Sequence, residues 1–288
     1  MSDLAQQRAR AAGRVWRVRA ATSHIALGLL ALAVFVFLYA PLLVTALYSF
    51  NDSTAMAWPI HKFSTRWYHQ LFSDSQLWSS VEHSFVVAVA AVAISLVFGA
   101  GTAIVLDRVK VVGSGAIAAL LLLPFVIPGV LTGLALALFF YWIGIPFSLA
   151  TVALGHVTFI TPVMYFLVAS RLARTDRSLE RASMDLGGNH LRTFWHVTLP
   201  NIRMALIAAA LLGITLSLDE VIITYFLIGT SRTLPMEIWT RIRFGFTPEI
   251  NAIFTIVVTA SILTAIAAGL VWFGSGRRRS RLPASAGG

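Results

Sequence analysis

Apolar residues in this chain gather into long runs separated by short polar connections, without the two-residue alternation that marks the strands of a membrane barrel. Six runs reach the roughly 20 residues that cross a hydrocarbon core of ~30 Å. They cover 25–50, 84–106, 114–142, 149–170, 202–228 and 251–273. All but the fifth lack Asp, Glu, Lys and Arg; the fifth opens with Arg203 and carries Asp219 and Glu220. The first run is too long for a signal-peptide core and no A-x-A-type site follows it, so it is expected to remain as the first helix. The third holds Pro124, Pro128, Gly129 and Gly133, which predicts a kink or break near its middle. The expected class is all-α, a polytopic membrane protein of six transmembrane helices. Its membrane domain covers 25–273, between a basic tail at 1–24 and a basic flexible tail at 274–288.

Composition agrees with that pattern and removes the alternatives. Of 288 residues, 58% are hydrophobic and 12% charged, against about 45–50% and 25% for a soluble domain. Mean hydropathy is +0.80. The absence of cysteine excludes a disulfide framework, a thiolate metal site and a cysteine nucleophile. Charge then sets an orientation. Of the 22 lysines and arginines, 17 fall in the N-terminal tail, the second-to-third connection, 171–203 and the C-terminal tail. Lys62, Arg66, Arg232, Arg241 and Arg243 are the five on the other side. By the positive-inside rule both termini are expected in the cytoplasm. The net charge of +10 is therefore a topology signal and gives little support to nucleic-acid binding.

Enzyme chemistry finds no purchase. The two lysines, Lys62 and Lys110, do not follow glycine, so the chain builds no P-loop of its own. No H-E-x-x-H or G-x-S-x-G occurs, and no histidine follows His196. His83 and His156 lie nearest to membrane depth, and each stands alone, which favours a packed histidine over a metal ligand. A transporter or channel subunit is the better class.

The segment 175–200, between the fourth and fifth runs, has its own architecture. Asp176 or Ser178 suits an N-cap, with Glu180 in the first turn, where an acid favours the helix dipole. Leu179, Ala182, Ser183 and Leu186 share one face at helical spacing. Gly187 and Gly188 supply a left-handed stop. A second short helix is expected from Asn189, presenting Phe194, Trp195 and Val197 and ending at Pro200. This helix–Gly–helix hook with a basic rim is either a surface loop folded back on its own bundle or a peg for a cytoplasmic partner.

Its residues resemble the EAA signature (E-A-A-x-x-x-G-x9-I-x-L-P) of ABC-importer permeases. Ala182 matches the first Ala, Ser183 stands for the second, Gly187 for the Gly, and Val197, Leu199 and Pro200 close the pattern. Arg181 occupies the signature Glu position, with Glu180 one residue earlier. Over about 42–273 the chain is similar to the spermidine/putrescine-type permeases, most of all the C-type subunit. Tyr48-Ser-Phe-Asn51, Leu122-Leu-Pro-Phe-Val-Ile-Pro128, Leu216-Ser-Leu-Asp-Glu220, Thr233-Leu-Pro235 and Thr247-Pro-Glu-Ile-Asn-Ala252 carry this likeness. Many members have an acid after the second proline of the third span; Gly129 stands there in this chain.

The resemblance implies a type I ABC-importer permease fold in the bacterial inner membrane. The hook is then the coupling helix, with Glu180, Arg181, Ala182, Ser183, Leu186, Gly187, Val197, Leu199 and Pro200 at or near the ATPase contact. The implied partners are a second homologous permease, two P-loop ATPase subunits that bind the ATP and Mg, and a periplasmic solute-binding protein. This chain itself carries no cofactor or metal. The implied substrate is a polyamine or a related small solute. Another solute, such as an aminoalkylphosphonate, an opine or an organic anion, stays open, as does an ion-coupled secondary carrier using Asp219 or Glu220.

Carboxylates inside a membrane are costly and rarely face lipid. On a continuous fifth helix, Gly213, Ser217, Glu220 and Thr224 form one small or polar stripe, with Thr215 and Asp219 on the neighbouring one. Asp219, Glu220, Thr215, Ser217 and Thr224 are therefore the candidate pathway residues, and the stripe favours Glu220. The opposing reading places both acids in structural pairs. Outside, Trp58, Trp67, Tyr68, Trp78 and Trp239 suit an interfacial aromatic belt, and a short helix carrying Glu237, Arg241 and Arg243 is expected within 235–248.

Overall fold

The computed structural model describes residues 2–54, 56–109, 111–245 and 248–279, with side chains within 25–243 and 248–264. Thirteen α-helices succeed one another among these residues, and the one strand-like feature among them is an isolated bridge between Asn51 and Phe63. Four helical stretches are long and apolar enough to cross a membrane singly: Ile25–Tyr48, Ser75–Arg108, Leu149–Leu172 and His190–Asp219. A bent pair, Ser114–Val126 with Gly129–Trp142, makes a fifth passage, and Pro248–Thr264 adds a shorter apolar helix.

One compact unit consists of α1 (Ser2–Tyr48), the segment after it, α2 (Arg66–Ser73) and α13 (Pro248–Arg279). The first helix begins at Ser2 and takes in the basic segment 2–24. None of the apolar window of Ile25–Tyr48 is buried, as suits a helix whose neighbours are lipid or other chains. The last helix runs on through 274–279, so these residues of the basic tail are helical, and 280–288 lie outside the described residues. After α1, Trp67 is buried and its Nε1 donates to the Asn51 carbonyl at 2.7 Å. Tyr68 meets the Ser49 hydroxyl at 2.6 Å. Trp67 and Tyr68 thus hold the chain reversal, while Trp58 and Trp78 stay exposed as belt residues do.

The second unit runs from Asp74 to Phe244 and is built around α7 (Leu149–Leu172). Helix α3 (Ser75–Ser95) continues through a π-helical turn, Leu96–Ala100, into α4 (Gly101–Arg108). This span begins nine residues before the expected 84 because Asp74 caps it, accepting from the Gln76 and Leu77 amides at 2.9 and 3.0 Å. The third passage is α5 (Ser114–Val126) and α6 (Gly129–Trp142), bent by 100°. Ile127 is extended before Pro128, as a pre-proline residue prefers.

Helix α7 packs against α3, α4, α5, α10 (Leu199–Asp219) and α11 (Ile222–Leu227). Because lipid is as apolar as leucine, such packing depends on close approach between small residues. A Cβ on Gly99 would lie 2.6 Å from the Thr161 carbonyl, so only glycine fits this crossing. Ala88, Ala91 and Ala209 are fully buried in the same region.

Candidate functional site

The segment 175–200 forms the expected first helix and glycine stop, with Arg177 rather than Asp176 or Ser178 at the N-cap position, and departs from expectation after Gly188. Helix α8 (Ser178–Asp185) follows Asp176, whose Oδ1 accepts from the Ser178 amide at 2.8 Å. That bond holds the Asp176 carboxyl below its ordinary range. The helix ends in a Schellman arrangement: Gly187 donates to Met184 and Gly188 to Ser183, both at 2.9 Å. Gly187 has φ +86°. A Cβ on Gly188 would lie 2.7 Å from the Ser183 carbonyl.

Asn189 caps α9 (His190–Thr193) by accepting from the Arg192 amide at 2.8 Å. The second helix does not end at Pro200. A π turn at Phe194–Thr198 carries it directly into α10, giving one apolar helix over His190–Asp219. Pro200 lacks an amide hydrogen and its ring would strike the carbonyl one turn back. The wider turn, in which the Leu199 amide bonds Phe194, accommodates that ring at the start of α10.

The hook's candidate residues divide by exposure. Leu186 is 89% exposed, and Leu179, Arg181, Ala182, Leu191, Trp195 and Pro200 are also exposed, giving an apolar surface with basic neighbours. Ser183 is half-buried and bonds the Thr193 hydroxyl at 2.9 Å, joining the two arms. Val197 and Leu199 are half-buried. Glu180 turns inward, pairs with Arg108 and accepts from the Thr198 hydroxyl at 2.7 Å.

The fifth span is not one helix. Helix α10 stops at Asp219, Glu220 is extended (φ −78°, ψ 115°), and α11 starts at Ile222. The shared stripe anticipated for Ser217, Glu220 and Thr224 is therefore broken, and Glu220 parts from the other two. Glu220 Oε1 accepts from the Ile223 amide at 2.8 Å and so caps α11. Ser217 and Thr224 are buried and meet through His156 of α7, which is 1% exposed. Its Nδ1 lies 2.7 Å from Ser217 Oγ and its Nε2 2.9 Å from Thr224 Oγ1. Thr224 donates to the Glu220 carbonyl at 2.9 Å. With that hydroxyl committed, Nε2 is the donor to Thr224, and in the neutral ring Nδ1 accepts from Ser217. Asp219 and Thr215, one turn apart, are exposed on the remaining face, and the Thr215 hydroxyl bonds the Leu211 carbonyl at 3.0 Å.

The two interrupted passages meet at their breaks. Gly129, first residue of α6, faces Ile222 and Ile223 of α11, with Cβ-position contacts of about 3.9 Å. Discontinuous membrane helices expose unpaired carbonyls and amides, and polar ligands use such places. Among the described residues no cluster of three or more His, Asp or Glu side chains is placed to hold a metal ion.

A third group was only half visible in the sequence. Helix α12 (Leu234–Phe244) carries Glu237, 3% exposed. Glu237 accepts from Arg232 Nη1 and Arg241 Nε at 2.9 Å each and from Gln76 Nε2 at 3.1 Å. Arg241 also pairs with Asp74 at 2.5 Å. Burial raises both carboxyls, but hydrogen bonds and arginine charge outweigh it and hold Glu237 and Asp74 below their ordinary range.

Comparison with known proteins agrees with this architecture. The putrescine transport system permease protein PotI of Escherichia coli (strain K12) is 40% identical over 248 residues, covering 83% of this chain and 86% of that one. The spermidine/putrescine transport system permease protein PotC of Haemophilus influenzae is 31% identical over 240 residues, covering 83% and 93%. A solved bacterial ABC transporter involved in importing the acidic polysaccharide alginate shares the fold at a TM-score of 0.63 and 16% identity, over 89% of this chain and 96% of that one. With residues 95–278 matching its family pattern, this chain belongs to the binding-protein-dependent transport system inner membrane components.

Proposed function

We propose that this permease forms half of the translocation path of an importer for putrescine-type polyamines, with Asp219 as the carboxylate that meets the cationic solute. The observation that carries this is the break at Glu220. It commits Glu220, Ser217 and Thr224 to internal bonds and leaves Asp219 exposed beside Thr215. An exposed carboxylate in a membrane helix is costly unless it faces a partner or a wet path. The 40% identity to a putrescine permease supports the solute class.

On this reading the second half of the path is a homologous permease. Two P-loop ATPase subunits hold the ATP and Mg, and a periplasmic binding protein delivers the solute. The exposed apolar surface of the hook, Leu186 foremost, is the ATPase contact. The hook and both termini lie in the cytoplasm. An impermeant thiol reagent then labels a cysteine introduced at Asp185 from the cytoplasmic side alone; labelling from outside overturns this orientation.

The complex reconstituted in proteoliposomes with its binding protein tests the function. ATP-dependent accumulation of labelled putrescine or spermidine is the expected result. Accumulation of neither, with an ATPase that still responds to the loaded binding protein, assigns another solute. Uptake that follows an ion gradient without ATP identifies a secondary carrier.

A further inference from the structure

Helix α8 has eight residues and buries none of them, so apolar packing does not fix it. Two ion pairs with the foot of α4 do so instead. Arg177 Nη2 bonds the Asp107 carboxylate at 2.9 Å and the Asp107 carbonyl at 2.7 Å. Arg108 Nη2 donates to the Glu180 carboxylate and, at 2.6 Å, to the Thr198 hydroxyl. Thr198 lies in the π turn and itself donates to Glu180, so this cluster holds the outgoing arm of the hook as well as the incoming one.

The order of charge sets a register. Asp107 and Arg108 are adjacent at the end of α4, and Arg177 and Glu180 are one turn apart at the start of α8. Exchanging the partners would place Asp107 against Glu180 and Arg108 against Arg177, two like-charge contacts. The Arg108–Glu180 pair is largely covered, with side chains 27% and 17% exposed, and is less screened than a surface pair. Among the described residues the buried Arg108 Nε has no hydrogen-bond partner.

We infer that Asp107 and Arg108 are positioning residues that lock the hook to the second membrane helix, so that a push on the hook moves α4 with it. This rests on the coupling role proposed above for the hook. It also explains the shift of the acid within the EAA-like segment: Glu180 is held inside this chain, and Arg181, at the signature position, is exposed.

Charge exchange in the assembled complex tests it. Arg108→Glu and Glu180→Arg, each alone, should lower transport and binding-protein-stimulated ATP hydrolysis by about tenfold, with the ATPase subunits still co-purifying. The double exchange should restore both to within about twofold of wild type. Arg108→Gln and Glu180→Gln give the same direction of change without introducing like charges, and Asp107 exchanged with Arg177 behaves likewise. Wild-type stimulation in the neutral variants overturns the strap, as does a double exchange no better than its singles while the ATPase is retained. Wild-type preparations that never retain an ATPase overturn the coupling reading first, and the strap with it.

Discussion

The imidazole of His156 stands between Ser217 and Thr224, its Nδ1 2.7 Å from the Ser217 hydroxyl, and so ties α7 to both pieces of the broken fifth span. Both ring nitrogens are used, and nothing in the contact requires a proton to leave. His156→Phe keeps an aromatic ring but strands the buried Ser217 hydroxyl, at about 1–3 kcal/mol for a group left unsatisfied, while Thr224 keeps its bond to the Glu220 carbonyl. The expected result is a lower thermal midpoint of the purified complex with unchanged ATPase docking. In His156→Phe/Ser217→Ala the two losses should be less than additive; strict additivity removes the contact from the account.

Asp219 and Glu220 should separate cleanly. Asp219→Asn lowers transport of a cationic solute by about tenfold or more and leaves the thermal midpoint near wild type, because its carboxylate faces outward. Glu220→Gln preserves an acceptor for the Ile223 amide and changes little, whereas Glu220→Ala removes the cap of α11 and costs roughly 1 kcal/mol of stability. A transport defect in Glu220→Gln equal to that of Asp219→Asn would exchange the two assignments.

Gly187→Val forces a β-branched residue to φ +86°. The strain is expected to distort the Schellman turn without emptying the membrane of protein. Transport and substrate-stimulated ATP hydrolysis both fall, and Gly187→Asn, which tolerates the left-handed region, recovers a large part of each. Normal coupling in Gly187→Val dissociates the turn geometry from function.

Acid should release α12. Glu237 and Asp74 have lower carboxyl pKa values folded than unfolded, so their contribution is complete above the unfolded values, near pH ~4. It is lost as pH falls through the folded ones. Amide exchange in α12, corrected for its intrinsic pH dependence, should accelerate below about pH 4. In Glu237→Gln it is faster already at neutral pH and responds less to acid. An identical acid response in that variant places the titrating group elsewhere.

What the sequence reveals of this fold depends on how local its causes are. The bend of the third passage is written in Pro128, and the end of α8 in Gly187 and Gly188, because backbone restriction acts within a few residues. The break at Glu220 has no such mark: Leu218-Asp219-Glu220-Val221 contains neither Gly nor Pro. It is sustained by His156 and by Glu220's own carboxylate, and the histidine lies over 60 residues from Ser217. Pairing at that distance leaves no period to read, so a helical wheel assigned Ser217 and Thr224 to the wrong surroundings. Glu237 and Gln76, 161 residues apart, are another such case. The π turn before Pro200 escaped for the opposite reason, since the proline signals a stop and a widened turn removes it.

That turn has a mechanical consequence. The second arm of the hook and the membrane span make one rod of 30 residues, about 45 Å long at 1.5 Å per residue. Spin labels on cysteines at Leu191 and Leu211, roughly 30 Å apart, should then keep a single distance with and without ATP. A second distance would mean that the rod flexes at Phe194–Thr198. Held rigid, such a rod carries any displacement of its His190 end directly to Asp219 at the other.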